Sequence, residues 1–492
     1  MKKLLICILA IALLVPLMTA CDDSKNESSD TSAPEVGFVQ TTPIKDMEGR
    51  EFRVLYWDFS AGSNSILGYT GEILYAEENP SSVDDAKKWV VDQVEEAYNC
   101  TITGDSAFEY ANSVPVQVKN QTLAGDPETD YHIVFDSSSS IAPLAIEGYI
   151  QDLSAIETID LSKSWWDQNA VKDLSVGGKV YFTCGDINTY DDLGTWCMLF
   201  NKRLKDQYLQ GVDLYALARE GKWTYDKFHE LITSNKITND SNGDGVLDEK
   251  DTWAFGTEKY NMYVHVVSAG EKIAKKDEND LPYITLSKET QKTYNVLGKV
   301  VDLYLDTNNV LVADSAAYAS KFASSNCWEE TVHKAFVEGR ELFYMCGLIH
   351  AASFRVMEDE FGILPIPKFS EAQDRYYHTV SVGNISVMCI PNGVEGIEDI
   401  GLIISAIAEL SEHKLTPAFY DVQLKYRDTR DEDSAEMLDI IFSSRTFDLG
   451  ATFGWGGILA DYQTLDRNYA SRFDSTISKA EAKLEETLEL IG

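Results

Sequence analysis

Residues 130–153 read DYHIVFDSSSSIAPLAIEGYIQDL. The run 130–135 is apolar enough, and of the right length, to be a buried strand. Asp136 and four consecutive serines, 137–140, follow as a polar turn. Residues 141–146 then predict a helix, and 148–153 closes the unit. Strand, polar turn and helix in alternation predict an α/β fold with a largely parallel sheet. In such sheets ligands sit beyond the carboxyl ends of the strands. Ser137 occupies one such end.

The same pattern extends in both directions. Phe52, Val54, Leu55 and Trp57 belong to an earlier strand, and Trp57 stands at its carboxyl end. Val83, Ala86, Val90, Val94 and Ala97 recur at helical spacing, which predicts one buried helix face. Further strands are predicted at 179–182 and 342–346. Helices are predicted at 287–306, 397–410 and 476–491. Residues 362–367 are extended, because Pro365 and Pro367 exclude a helix there.

The chain has 492 residues, a length that suits two or three domains. A hydrophobic content of 44% and an aromatic content of 11% suit a globular protein with a large core. The net charge of -38 argues against binding nucleic acid through phosphates and against lying on an anionic membrane surface. At the start, Lys2 and Lys3 precede an apolar stretch, 4–17, that is short for a membrane span and reads as a secretory leader covering 1–20. Met18-Thr19-Ala20 before Cys21 resembles a bacterial lipobox, with Cys21 as the lipidated residue. The segment 21–45 is rich in Ser, Asp, Thr and Pro and reads as a disordered tether. The other cysteines match no metal motif. Cys346 and Cys389 lie in apolar runs and read as buried small hydrophobes. Cys184 and Cys197 flank a polar segment, so a disulfide between them stays open.

Residues 221–256 hold an amphipathic helix and then an acidic loop. Asp240, Asn242 and Asp244 alternate, Gly245 follows, and Asp248 and Asp251 complete a twelve-residue span. Alternate spacing points side-chain oxygens into one loop, and Val246 offers its carbonyl. This donor set predicts a structural Ca²⁺ site. Asp251 stands where an EF-hand has Glu, so its shorter side chain reaches the ion less easily.

Catalytic patterns are missing. Seven histidines give no HExxH, and Gly-x-Ser-x-Gly, P-loop and GxGxxG patterns are absent. With 80 acidic residues, a carboxylate pair suited to glycoside hydrolysis arises by chance and carries little weight. A secreted glycoside hydrolase and a cell-surface adhesin are the competing readings.

DYHIVFDSS, GYIQDL, LFNKRL, GKWTYDKFHELI, FVEGRELFYM, FGILPIPK and RTFDLGATFGWG occur in one order behind the lipobox. Together they resemble an extracellular solute-binding protein of the sugar-binding class that serves ABC transporters. The resemblance implies a two-lobed, periplasmic-binding-protein-like fold with a ligand cleft between the lobes. It implies one lobe from 46–190 and 346–382 and the other from 191–345 and 383–492, with crossings near 186–195, 346–350 and 380–388. It further implies a non-enzymatic, monomeric receptor, lipid-anchored on the outer face of the cell membrane, that delivers an oligosaccharide to ABC permease subunits. A sugar needs aromatic platforms ringed by polar groups. Trp57, Ser137, Tyr190, Asp191, Trp196, His350 and Trp455 are the candidates, each at a strand end or an expected crossing. Trp165, Trp166 and Trp223 are assigned to packing.

Overall fold

The computed structural model describes residues 38–58, 71–76, 80–108, 113–125, 130–419 and 432–491. The leader, Cys21 and most of the tether lie outside the described residues. The strands are β1 (Arg50–Trp57), β2 (Cys100–Ala107), β3 (Ile133–Asp136), β4 (Trp196–Asn201), β5 (Trp253–Thr257), β6 (Ala274–Lys276) and β7 (Pro282–Ile284). They continue with β8 (Val310–Val312), β9 (Glu341–Gly347), β10 (Phe361–Leu364), β11 (His378–Thr379), β12 (Val387–Cys389) and β13 (Arg445–Thr446).

Two main sheets result. The first has the order β12-β3-β1-β2 and the second β10-β4-β9-β5-β8. In the first, β1 runs parallel to β2 and β3, with Phe52 opposite Ile102 and Val54 opposite Ile133. All four residues of β3 are buried, as expected for a strand covered on both faces. In the second, β5 runs parallel to β8 and β9. Parallel pairing is not universal: β12 in the first sheet and β4 and β10 in the second run antiparallel to their neighbours. The fold is α/β and two-lobed, of the periplasmic-binding-protein kind.

Helix Ser82–Tyr98 shows why these layers form. Ser81 and Asp84 make a capping box, worth about 1 kcal/mol. Val83, Ala86, Val90 and Val94 form its buried stripe, which packs on the apolar helix Ile397–Pro417. Each valine so buried stabilises the lobe by roughly 1.5–3 kcal/mol. The turn Ser137–Ser140 caps helix Ser138–Ile146, so the motif at 130–153 folds as its residue order dictates.

The later chain is distributed differently from the expected lobes. Phe361–Leu364 was expected with the first lobe but pairs with β4 in the second sheet. Val387–Cys389 was expected with the second lobe but pairs with β3 in the first. The return crossing therefore lies between β10 and β12, and 346–350 simply continues from β9. Residues 179–182 form no strand, because Val176, Lys179 and Thr183 make only isolated bridges. The end of the expected tether is ordered: Thr41 and Thr42 donate their amides and hydroxyls to the Glu409 carboxylate at 2.5–2.8 Å. Cys184 and Cys197 are both free and form no disulfide; Cys197 instead faces Cys346 across β4 and β9. Among the described residues no helix is long and apolar enough to cross a membrane.

Candidate functional site

The carboxyl ends of β1 and β3 bring Trp57 and the pair Asp136–Ser137 to one edge of the first sheet. Trp57 is half-buried. Asp136 is buried and accepts the Ser137 amide at 2.6 Å. Burial pushes its carboxyl up to about 7, against hydrogen bonds from Ser137 and Ser140. The Ser137 hydroxyl is engaged in the cap, donating to Ser140 Oγ at 2.8 Å and accepting the Ser140 amide at 3.3 Å.

The matching edge of the second sheet carries Trp196 and the residues that follow β5. Trp196 opens β4 opposite Gly347, the last residue of β9. Its indole N–H donates to Asn261 Oδ1 at 2.6 Å, and Asn261 Nδ2 donates to the Met345 carbonyl at 2.9 Å. Its ring lies 5.1 Å from that of Tyr260. Trp196 is therefore a fixed and buried wall, 6% exposed, and the half-buried Tyr260 is the more open residue. Beside them, burial and then Asp314 push the half-buried Glu258 up to about 7. Burial also raises the Tyr260 phenol, which interacts with Ser381.

Two crossing segments join these edges. Ser381 donates its amide to the Gly194 carbonyl at 2.9 Å, and Val380 bridges Thr195. The amide of Ser139 reaches the Val382 carbonyl at 3.1 Å, tying the end of β3 to the same strand of chain. At Gly194 the backbones touch: a Cβ there would lie 2.1 Å from the Asn384 carbonyl oxygen.

Of the predicted residues, Trp57 and Ser137 stand at strand ends of the first sheet and Trp196 at a strand end of the second. Tyr190 and Asp191 lie on the crossing turn Tyr190–Leu193 but are buried in it. The Asp191 carboxylate sits 3.0 Å from Arg445. His350 packs against Trp328 at 4.6 Å, and burial lowers its imidazole to about 3, so it is neutral. Trp455 is placed elsewhere. It is 2% exposed, stacks on Phe453 at 5.4 Å and donates its N–H to Thr487 on the C-terminal helix. That is a core position with no open ring face. Trp165, Trp166 and Trp223 are buried, as their assignment to packing requires. Asp136, Glu258 and Tyr260 were missed, although the rule used for Trp57 points near each: Asp136 ends β3, Glu258 directly follows β5, and Tyr260 opens the helix two residues further on.

The loop 240–251 folds around its own oxygens. Asp240 accepts the amides of Gly243, Asp244 and Gly245. Asn242 accepts that of Asp244 and Asp244 that of Val246. Asp251, fully buried, accepts from Ser241 at 3.0 Å and Asp248 at 2.9 Å. Gly243 and Gly245 take φ of 75° and 80°, which the tight turn demands. The donors are hard oxygens and fit Ca²⁺ in kind. Among the described residues, three Asp, Glu, His or Cys ligand atoms come within 4.8 Å of one another only at Asp167, Cys184 and Asp191. The loop carboxylates must therefore draw inward to hold an ion.

No protein-family model matches the sequence, and no curated protein matches it. Solved structures do match in fold. The ABC substrate-binding protein Lmo0181 from Listeria monocytogenes, in complex with cycloalternan, superposes with a TM-score of 0.52 at 12% identity, covering 90% of this chain and 98% of that one. A cyclo/maltodextrin-binding protein complexed with maltotetraose gives 0.53 at 14%, with the same coverage. The maltose-binding periplasmic protein MalE from Listeria monocytogenes, in complex with maltose, gives 0.52 at 12%, again covering 90% and 98%. At such identities the likeness is one of fold.

Proposed function

We propose that this chain is a non-enzymatic receptor that captures a carbohydrate between its lobes and delivers it to an ABC importer. The observation that carries the reading is where the strands of the two sheets end. Trp57 and Asp136 end strands of one sheet, and Trp196, Glu258 and Tyr260 stand at strand ends of the other, whose chain is tied to the first through the Gly194–Ser381 and Ser139–Val382 hydrogen bonds. Aromatic faces suit the C–H side of a pyranose, and carboxyl groups suit its hydroxyls. The neighbouring folds are named for sugars they hold, which supports the same ligand class here. A ligand touching both edges favours the closed form, and a permease can read that closure. Cys21 and the chain after it would tether this monomeric receptor to the outer face of the membrane. The loop 240–251 would hold one structural Ca²⁺ through Asp240, Asn242, Asp244, the Val246 carbonyl, Asp248 and Asp251.

Calorimetry against mono- and oligosaccharides tests the reading. One sugar class binds, and Trp57→Ala weakens it at least tenfold, about 1.4 kcal/mol. Binding of peptides alone, or hydrolysis of the sugar, would refute it.

A further inference from the structure

The crossing turn Tyr190–Leu193 also closes a cavity of about 240 Å³, lined by Asp167, Asp186, Asp191, Asp192 and Arg445. Four carboxylates there face one guanidinium. Arg445 lies 2.7 Å from Asp167, 3.0 Å from Asp191 and 2.5 Å from Asp192. Asp186 hydrogen-bonds to Thr416 at 2.5 Å. With three carboxylates on one guanidinium and a fourth beside them, a second cation would relieve the cost of ionising the group in a low dielectric.

Two oxygens point to what is needed. Asp191 Oδ1 and Asn188 Oδ1 are buried without a donor, in residues only 1% and 3% exposed, and both residues line the cavity. Close by, ligand atoms of Asp167, Cys184 and Asp191 lie within 4.8 Å of one another. Cys184 is wholly buried and disulfide-free.

We propose that this cavity binds a divalent transition-metal ion of the zinc type, held by Asp191 Oδ1, the Asp167 carboxylate and the Cys184 thiolate. Asn188, which lines the same cavity and whose side-chain oxygen has no donor, is the candidate fourth ligand. A mixed oxygen and sulfur donor set suits a borderline ion rather than calcium or magnesium. Arg445 is a positioning residue: it holds Asp191 Oδ2 and so turns Oδ1 towards the ion. On binding, the Cys184 S–H bond breaks, the sulfur–metal bond forms, and the proton leaves to solvent. The ion would pin the crossing turn to helix Gln168–Leu174, whose starting amides Asp167 accepts.

Cobalt(II) is the probe, because thiolate ligation gives an intense charge-transfer absorption that oxygen ligands do not. The full chain is stripped with a chelator and titrated, with Asp244→Ala in the background to silence the acidic loop. One equivalent should produce the band, and zinc should displace it. Cys184→Ser should abolish the band. Asp191→Asn, which keeps the side-chain shape, should weaken zinc binding at least tenfold by competition. No band at millimolar cobalt, a band that survives Cys184→Ser, or unchanged zinc affinity in Asp191→Asn would each overturn the proposal.

Discussion

Glu341 opens β9, is fully buried, and neither carboxyl oxygen has a hydrogen-bond partner. Its carboxyl lies over Gly256, where a Cβ would come within 2.0 Å of Oε2. Burial raises its pKa well above the usual 4.5, with Arg340 opposing only in part. A raised carboxyl binds more protons in the folded chain than in the unfolded one. Its contribution is therefore fully present below pH 4.5 and is lost as pH rises. Each pH unit between the unfolded and the folded pKa is worth about 1.4 kcal/mol of stability. Glu341→Gln has nearly the same shape and no proton to lose. The extra buried N–H groups of the amide add a penalty of roughly 1–3 kcal/mol each, but one that does not vary with pH. Denaturant midpoints of parent and variant, measured from pH 4.5 to 8, separate the two effects. The variant should gain on the parent steadily as pH rises. A constant offset across that range would refute the reasoning, since it would mean that Glu341 ionises as readily in the fold as outside it.

Three further outcomes follow from the same structure. Trp455→Ala should destabilise the protein by about 3–5 kcal/mol, through loss of its buried packing, and leave sugar affinity in the surviving folded fraction unchanged; calorimetry and thermal melts check both halves. Although burial opposes it, hydrogen bonds from Thr42 and Thr41 hold the Glu409 carboxyl below its usual range. Its clasp on the N-terminal segment should thus be kept at neutral pH and lost as acid titrates it, and Glu409→Gln should speed hydrogen exchange at Thr41 and Thr42 at least tenfold at pH 7. Chelation should lower the melting temperature of the parent but not of Asp244→Ala; equal melting with and without calcium in both would defeat the calcium site.

The first lobe was legible because its signals are local. A strand, its turn and its helix fit within 130–153, and each follows from the order of residue types. The tight turn of the acidic loop was legible for the same reason. The C-terminal half was not, because Phe361–Leu364 and Val387–Cys389 are equally apolar and nothing near either of them says which sheet it joins. Arg445 illustrates the limit for the site. Its aspartate partners lie more than 250 positions earlier, and no spacing rule spans that distance. Trp455 was misplaced because it was taken to stand at a strand end or crossing, whereas here the glycines let the chain turn tightly against the C-terminal helix: a Cβ at Gly456 would lie 2.5 Å from the Ala480 amide nitrogen.

The bare backbone contact at Gly194 has a mechanical meaning. With no side chain between the crossing segments, the two chains bear on each other like an axle in its seat, and the Ser381 amide keeps the axle from slipping sideways. Turning about that point needs little movement where the segments touch and a great deal at the outer rim, where the lever arm is longest. A methyl group at 194 would act as a wedge: its carbon would meet the Asn384 carbonyl oxygen at 2.1 Å, so one of the two segments would have to move aside.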